Sequence, residues 1–295
     1  MSDQKSIRLN TWRMDKRGDG MDVMEKLFRI QERFSGRFSL FAEHLGSAEV
    51  IQFGSVKEPM ETASVMKLPI LVDALRQCRK GRHHLDDAIT YYHEDFVEGS
   101  GVLQHLSAGI SLPLRDVLTL MIIVSDNVAT NMVLRIMGIE SVNRTCEELG
   151  LRDTSIKRRI DFRAKGPLAL STAYDLVQLL KGIYQKTALD PVSADIAKDI
   201  LAHQQYNTLL TRYMPYELLD DNEDKPAQVI IASKSGSLTG IRNDAGLLFS
   251  PWGDYAIAIM SADSADQRFH VDTEAHVILP EAARAVFDHF IPAPW

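Results

Sequence analysis

Three short polar motifs are the residues of this chain whose types and spacing could carry out chemistry. In chain order they are Ser64-Val65-Met66-Lys67, Ser125-Asp126-Asn127 and Lys234-Ser235-Gly236. No single motif is specific, because a serine three residues before a lysine also occurs in the polar segment at Ser2 and Lys5. Taken together, in this order and with these gaps, they predict a serine acyl-transfer site in which a lysine replaces histidine as the proton acceptor.

The first motif places a nucleophile beside a base. Ser64 falls where strand character gives way to helix, and Lys67 follows one helical turn later. Residues at this spacing share a helix face, so the lysine amine is expected within reach of the serine hydroxyl. Lys67 can act as a base if burial and neighbouring cations lower its pKa. Pro69 must then lie within the first turns of the helix, where a missing N–H costs little.

The second motif is predicted to form a short loop between two helices. Ser125 would pass a proton between Lys67 and the leaving nitrogen of a substrate. Asn127 would hold Lys67 and a substrate amide oxygen. Asp126 points the other way and is expected to cap the helix that follows it.

The third motif lies on a strand near the end of the chain. Lys234 supplies a positive charge for a substrate carboxylate and helps to lower the pKa of Lys67. Gly236 would leave room for substrate backbone beside an edge strand. The backbone N–H groups of Ser64 and Ser237 would form an oxyanion hole. Arg242, just beyond, either clamps a carboxylate or lies at the surface.

Composition limits the class of protein. The chain has 295 residues, of which 45% are hydrophobic and 25% charged, as in ordinary globular proteins. A net charge of -7 argues against a nucleic-acid partner. No secretory signal, membrane span or metal-ligand cluster is recognised, and the two cysteines, Cys78 and Cys146, are expected to be reduced thiols. These features predict a cytoplasmic protein without a cofactor.

Hydrophobic periodicity predicts the elements that must position the motifs. Residues 1 to 18 lack periodicity and are expected to form a loosely packed arm. Apolar residues at helical spacing predict helices over residues 21–34, 64–80, 114–123, 126–137, 140–149, 171–186, 192–203 and 273–290. Alternating apolar residues predict strands over residues 38–45, 50–53, 229–237, 243–250 and 255–261.

This order of elements predicts an α+β fold. An antiparallel sheet would be flanked by the first and last helices, which pack together on one of its faces, and a mostly helical lobe would be inserted into it. The sheet lobe would comprise residues 1–62 and 206–295, and the helical lobe residues 63–205. The two lobes would form one catalytic unit.

The three motifs resemble those of the class A β-lactamases and of the related penicillin-binding, D-alanyl-D-alanine peptidase-like serine hydrolases. The resemblance covers roughly residues 20 to 291 and implies the same two-lobed fold with the reactive serine between the lobes. It implies Ser64 as nucleophile, Lys67 as base and Ser125 as proton shuttle. Lys234 and Ser235 would bind the substrate carboxylate, and the acylation base is disputed within the family.

One departure from the family concerns release of the acyl group. Class A β-lactamases have a glutamate, with an asparagine a few residues on, in a loop between the second and third motifs, where the two position a water. The corresponding residues 154–171 contain neither amino acid, and Asp161 is the only carboxylate there. Asp161 is therefore a weak candidate for the deacylation base, and an alternative is a loop salt bridge with Arg158 or Arg163.

Three functions remain open from the sequence. The first is a serine hydrolase that forms a covalent acyl-enzyme with a small carboxylate-bearing amide or ester, β-lactams included, and releases it slowly. The second is a D-amino-acid peptidase, esterase or acyl transferase for which β-lactams are only mimics. The third is a β-lactam-binding protein that stays acylated, or a degenerate scaffold.

Overall fold

A computed structural model describes residues 21–221 and 226–291, so the arm predicted over residues 1–18 lies outside the described residues. In chain order the described α-helices and strands are α1 (Val23–Arg33), β1 (Arg37–His44), β2 (Val50–Phe53), β3 (Met60–Glu61), α2 (Lys67–Arg79), β4 (Ala88–Thr90), β5 (Ser111–Pro113), α3 (Leu114–Ile123), α4 (Asn127–Met137), α5 (Ile139–Glu148), β6 (Ser155–Ile156), β7 (Ala169–Ser171), α6 (Ala173–Tyr184), α7 (Pro191–Ala202), α8 (Tyr216–Leu219), β8 (Ile230–Leu238), β9 (Ile241–Phe249), β10 (Tyr255–Ala262) and α9 (Glu274–Phe290).

Five strands form one antiparallel sheet in the order β2-β1-β10-β9-β8. Its central strands are buried along almost their whole length, because helices cover both faces. On one face α1 and α9 pack together around Leu27 and Phe287, which are fully buried. On the other face α6 lies against β1, β9 and β10. The α+β fold and the pairing of the terminal helices are confirmed.

The helix α2 lies at the centre of the helical part of the chain. Every residue from Lys67 to Leu75 is buried, since α2 contacts α3, α4, α5 and α7. Pro69 is in the first turn, as predicted, where no helical hydrogen bond needs its nitrogen. A short 3-10 helix, Ala63–Met66, leads into α2 and packs against β8 and β9. The start of α2 is therefore held between the helices and the sheet.

The sequence periodicity missed the short elements. Five strands of two or three residues (β3 to β7) form two small sheets, and such lengths are too short for a period of two to be visible. The predicted helix over residues 171–186 is shorter, because β7 ends at Ser171 and Thr172 caps α6. The proposed division at residues 62 and 206 remains a prediction.

Within residues 21–221 and 226–291, no helix has the length and apolar character needed to cross a membrane. Cys78 and Cys146 are free thiols. The same residues contain no group of three or more His, Cys, Asp or Glu side chains arranged to hold a metal ion.

Candidate active site

Ser64 lies on the 3-10 helix that precedes α2 and is partly exposed between buried neighbours. The preceding residue, Ala63, has φ of 48°, and Ser125 of the second motif has φ of 52°. Residues other than glycine rarely adopt this left-handed region, and the strain persists only where the surroundings hold it. Here the Thr62 amide donates to the carbonyl of Ala169, which ties the segment to β7.

Lys67 is fully buried, and its amine binds the second motif. Nζ donates to the carbonyl of Ser125 (2.8 Å), to Ser125 Oγ (3.0 Å) and to Asn127 Oδ1 (3.0 Å). Burial first and the charge of Lys234 second lower the pKa of Lys67 well below its usual value, while Asp126 acts in the opposite direction. The predicted contact between Lys67 and Ser64 is absent among the hydrogen bonds of the described residues, because these three acceptors occupy the amine.

Asp126 anchors the loop that carries Ser125 and Asn127. Its Oδ1 accepts the amide of Ala129, which caps α4 as predicted, and its Oδ2 accepts the amides of Val102 and Leu103. A β-carbon on Gly101 would lie 2.3 Å from the Asp126 carboxylate, so only glycine allows this close approach. The second motif and the turn at residues 98–103 are therefore locked together.

Lys234 is buried on β8 beside an aspartate of the neighbouring strand. Burial lowers the pKa of Lys234 to about 7, although the charge of Asp244 acts to raise it. Burial likewise raises the pKa of Asp244 to about 6, against the opposing effects of the Leu210 amide and of Lys234. One oxygen of Asp244, Oδ1, is buried without a hydrogen-bond partner among the described residues. Lys234 therefore loses its proton more readily than a lysine in water.

Gly236 has a packing role in addition to the one predicted. It lies on β8, which is an edge strand as expected, and it lines the cleft, so the predicted contact with substrate backbone remains a prediction. A β-carbon at this position would lie 2.7 Å from the backbone nitrogen of Ser64 and 2.9 Å from that of Val65. Glycine is needed here so that β8 can approach the peptide groups around Ser64.

Arg242 is buried rather than at the surface, and its guanidinium is already bound by backbone. Nη1 donates to the carbonyls of Leu238 and Ile241, and Nη2 donates to the carbonyl of Arg268. Its carbon Cζ lies 5.1 Å from the ring centre of Phe269. The buried Nε has no hydrogen-bond partner among the described residues. Arg242 lines the cleft as a positive wall, and backbone carbonyls take three of its five N–H groups.

The three motifs meet at a cleft with two connected parts, which share Ser64, Ser100, Tyr206, Ser237 and Phe269. The polar part has a volume of about 250 Å³, and its other lining residues include Ser125, Ser235, Gly236 and Arg242. The apolar part has a volume of about 560 Å³, and its other lining residues include Met66, Asn127, Ile160, Phe162, Leu168 and Leu238. Among the described residues, none that lines either part is an aspartate or a glutamate.

Similarity to a known family extends over most of the chain. The model of the beta-lactamase enzyme family matches residues 22–290. The chain belongs to the beta-lactamase enzyme family. No curated protein sequence matches the chain.

Solved structures of the beta-lactamase enzyme family and its relatives share the fold. The chain is similar to a beta-lactamase from Sphaerobacter thermophilus, with a TM-score of 0.82 and 25% identity over 93% of this chain and 100% of that chain. It is also similar to a mutant of PBP-A in an acyl-enzyme complex with penicillin G. The TM-score is 0.76 and the identity 26%, over 92% of this chain and 97% of that chain. A class A beta-lactamase from Mycobacterium abscessus shares the fold. The TM-score is 0.78 and the identity 21%, over 91% of this chain and 99% of that chain. The resemblance predicted from the motifs is confirmed.

In this beta-lactamase family member, the structure separates Asp161 from Ser64. Asp161 is exposed and lines a different cavity, and its Oδ1 accepts the backbone amide of Arg163. The guanidinium of Arg158 donates to the backbone carbonyl of Asp161 and not to its carboxylate. The alternative of a salt bridge with Arg158 or Arg163 is therefore wrong, since none of the ion pairs among the described residues includes Asp161.

Ile160, rather than Asp161, faces the cleft. Its amide donates to Asn131 Oδ1 (2.9 Å), and its carbonyl accepts from Asn131 Nδ2 (3.0 Å). Arg159 donates to Asp95, a buried carboxylate that also binds Arg135. These contacts fix the loop so that the Ile160 side chain is buried in the cleft wall.

Sequence reasoning missed Asp244, Ile160, Phe162 and Phe269 as residues of the site. Asp244 stands ten residues after Lys234, and only the pairing of β8 with β9, in which Asp244 is opposite Ser235, brings its charge near enough to affect Lys234. An acidic residue inside an apolar strand was the available sign. Loop hydrophobics such as Phe162 and Phe269 carry no periodicity that could place them.

Proposed function

We propose that this protein is a serine hydrolase in which β-lactams, or amides and esters of similar shape, acylate Ser64. The observation that carries the proposal is the buried amine of Lys67, which is held by Ser125 and Asn127 at the base of the cleft that exposes Ser64. A lysine whose pKa is lowered by burial has a neutral fraction that can accept a proton.

Acylation follows from this arrangement. A neutral amine has two hydrogens instead of three, so Lys67 must release one of its three acceptors and can turn its lone pair toward Ser64. Ser64 then gives its proton to Lys67 as its oxygen bonds to the substrate carbonyl carbon. Ser125, which is already hydrogen-bonded to Lys67, relays a proton from Lys67 to the leaving nitrogen as the C–N bond breaks. The products are an ester on Ser64 and a free amine.

Two further groups would stabilise this step. The backbone N–H groups of Ser64 and Ser237, two residues that line both parts of the cleft, would bind the oxyanion. Protonated Lys234, with Ser235 and the positive wall of Arg242, would attract the substrate carboxylate into the polar part. The PBP-A mutant that forms an acyl-enzyme with penicillin G supports a β-lactam as the acylating substrate.

Deacylation is expected to be slow. Water must attack the ester carbonyl and return a proton to Ser64, and a positioned carboxylate would assist by about 10²–10⁴-fold. The residues lining the cleft offer no carboxylate for this role, and Asp161 lines another cavity. Lys67 is a base close to the ester, through its hydrogen bond to Ser125.

The test combines nitrocefin turnover with intact-protein mass spectrometry after exposure to penicillin G. We expect a stoichiometric adduct that maps to Ser64, forms faster than it decays, and is absent from Ser64→Ala. Ser2→Ala, which alters the other serine three residues before a lysine, is the matched control and should acylate normally. Absence of both adduct and turnover would contradict the proposal.

A second candidate is a peptidase or acyl transferase that uses an amine in place of water. It is favoured by the same lack of a carboxylate in the cleft and by the similarity to PBP-A. A panel of D-amino-acid peptides and p-nitrophenyl esters, with and without an added amine acceptor, distinguishes it. Faster release of the acyl group with the amine would favour this second function, whereas an unchanged rate would leave hydrolysis as the sole route.

A further inference from the structure

His276 is a buried histidine of the cleft that the proposed mechanism does not use. It lies in the first turn of α9 and lines the same part of the cleft as Ser235 and Arg242. Nδ1 of its ring lies 3.0 Å from the backbone carbonyl oxygen of His270, in the loop between β10 and α9. Nε2 lies 3.4 Å from Oγ1 of Thr208, between α7 and α8. His276 therefore joins two segments of the cleft wall, since His270 and Thr208 also line it.

The contact at Nδ1 determines which nitrogen of the neutral ring carries the hydrogen. A backbone carbonyl can only accept a hydrogen bond, so Nδ1 donates to His270 and Nε2 has a free lone pair. The hydroxyl of Thr208 must then donate to Nε2. In this state the Thr208 oxygen offers only lone pairs to the cleft, and these repel a carboxylate.

A proton on Nε2 reverses the direction of this hydrogen bond. The imidazolium donates from Nε2 to the Thr208 oxygen, and the hydroxyl hydrogen of Thr208 is released to rotate toward the cleft. The cleft then gains a hydrogen-bond donor and a positive charge at the same place. Hydrogen bonds with a charged partner are about twice as strong as neutral ones, so both changes favour an anionic group.

Charged groups from three segments act on His276. Burial lowers the pKa of His276 from its ordinary value of 6.5, and the cations Arg242 of β9 and Arg212 act in the same direction. The carbonyl of His270 and the carboxylate of Asp272 act to raise this pKa, although Asp272 is paired with Arg212 at 3.0 Å. His276 is therefore neutral at pH 7 and becomes charged in acidic solution. A carboxylate bound beside it would offset the two cations and raise its pKa.

We propose, as an extension of the carboxylate binding proposed above, that His276 and Thr208 form a proton-controlled contact for the substrate carboxylate. Protonated His276 turns the Thr208 hydroxyl into a donor to that carboxylate, and neutral His276 holds the hydroxyl away from it. Substrates with a carboxylate then bind more tightly as the solution becomes acidic, and substrates without one do not. This effect adds to that of Lys234, which is charged below its pKa of about 7.

The experiment measures equilibrium binding to Ser64→Ala, which cannot form the ester, by NMR titration. The two ligands are penicillin G and its methyl ester, which differ only in the carboxylate. Between about pH 8 and about pH 5 a carboxylate stays ionised. Over this range His276 should tighten binding of penicillin G by about tenfold beyond the effect of Lys234, as expected for one charge-assisted hydrogen bond.

The same samples report the protonation of His276 directly, through ring signals that are identified by their loss in His276→Asn. Binding and protonation are linked, so a tenfold preference for the protonated state requires an equal change in proton affinity. Saturating penicillin G should therefore raise the pKa of His276 by about one pH unit, and the methyl ester should leave it unchanged. A residue that only supports the fold would not show this difference between the two ligands.

Three variants identify the groups responsible. His276→Asn keeps an N–H for the His270 carbonyl but cannot titrate or reach Thr208, so the tenfold effect should be lost. Thr208→Val replaces the hydroxyl with a methyl group and should reduce the effect to about threefold, the part due to charge alone. Thr211→Val is the matched control and should keep the full effect. Thr211 is in the same segment, but its hydroxyl contacts Asn207 and it does not line the cleft.

An unchanged pKa of His276 with penicillin G, or an equal rise with the methyl ester, would overturn the inference. A full effect in Thr208→Val would overturn the role of the hydroxyl. An effect that survives His276→Asn would point to another group, such as His270, and would also overturn the inference. Failure of the proposed function is distinguishable, because it is seen as absence of a Ser64 adduct in the unaltered protein while binding to Ser64→Ala persists. Absence of any penicillin G binding would overturn both.

Discussion

Lys67 and Lys234, the two buried lysines beside the cleft, differ in the carboxylates that affect their pKa values. Asp244 on the next strand acts to raise the pKa of Lys234, which still falls to about 7 because of burial. Asp126 acts to raise the pKa of Lys67, but its carboxylate oxygens already accept hydrogen bonds from three backbone amides. Lys67 is therefore suited to act as a neutral base, and Lys234 as a cation below neutral pH.

This difference predicts how acylation depends on pH. Lys234 is charged below its pKa of about 7 and neutral above it, so acylation by carboxylate-bearing substrates should decline as the pH rises through this value. Asp244→Asn removes the charge that supports the cation, and the decline should move to lower pH. The profile is measured as acylation rate against pH with penicillin G.

The control substrate for this prediction is p-nitrophenyl acetate, which has no carboxylate. Its profile should respond less to Asp244→Asn, because Lys234 then has no anion to attract and acts only through the pKa of Lys67. If the penicillin G profile of Asp244→Asn coincides with that of the unaltered protein, Asp244 does not sustain the charge of Lys234.

Ile160 is the residue at which a single substitution could supply the base for release of the acyl group from Ser64. Its backbone is held on both sides by Asn131, and its side chain lies in the wall of the cavity that contains Ser64. We expect Ile160→Glu to shorten the lifetime of the acyl-enzyme by about 10²-fold or more, because a carboxylate would then be able to activate water there. The decay of the penicillin G adduct by mass spectrometry is the measurement.

Ile160→Gln is the matched control, since it has the same shape as glutamate without its basicity. It should leave the adduct lifetime within about threefold of the unaltered protein, well short of the gain that general-base assistance provides. Equal decay in the glutamine and glutamate variants would show that the cleft wall at Ile160 does not reach the attacking water.

At the scale of elements, the site depends on the contact between β8 and the 3-10 helix that carries Ser64. Gly236 permits this contact because it has no β-carbon to obstruct the backbone nitrogens of Ser64 and Val65. The oxyanion hole proposed above requires the Ser64 and Ser237 amides to converge, so its geometry depends on the same contact.

Gly236→Ala should therefore damage both stability and activity. The added carbon would approach the Ser64 nitrogen to 2.7 Å, which forces β8 and the 3-10 helix apart. We expect a loss of about 1–3 kcal/mol in the free energy of unfolding and a decrease of about tenfold or more in acylation rate, as expected for a small displacement of reacting groups. Urea unfolding and adduct formation measure the two effects.

Gly46→Ala is the control for this substitution. Gly46 lies in the turn between β1 and β2, and the nearest atom to its added carbon is on the His44 ring, at 3.3 Å. Its acylation rate should be unaffected. If Gly236→Ala behaves like Gly46→Ala, close packing of β8 is not required for catalysis.

At the scale of the whole molecule, two hydrophobic cores lie on opposite faces of the five-stranded sheet. One is formed by α1, α9 and the sheet, and the other joins the sheet to the helical region around α2. The site lies where the second core meets β8. The first core is remote from the chemistry, so its residues can be changed to test stability alone.

Stability of the first core should depend on burial rather than on surface charge. Leu27→Ala removes a fully buried side chain and should cost about 2–5 kcal/mol in the free energy of unfolding. Arg33→Ala removes an ion pair in which the Arg33 side chain is 53% exposed and the Glu281 side chain 35% exposed. It should lower the free energy of unfolding by less than about 1 kcal/mol. Urea unfolding measures both, and equal losses would contradict this view of α1 and α9.

The amino-acid sequence by itself predicted the residues now proposed to react and the order of the main elements. Hydrophobic periodicity predicted α3 with its observed bounds, and α4, α7 and α9 to within one residue at each end, because each is long enough to show its buried face. The capping role of Asp126 was also predicted, since it depends only on neighbours in the chain.

The tertiary structure alone decided which loop and strand residues reach the cleft. Ile160 enters it and Asp161 does not because Asn131, 29 residues away, binds both backbone groups of Ile160. The charge of Asp244 acts on Lys234 only because β8 pairs with β9. The pKa values of both lysines are lowered by desolvation, which depends on the atoms packed around each amine and is not encoded in any local pattern of the sequence.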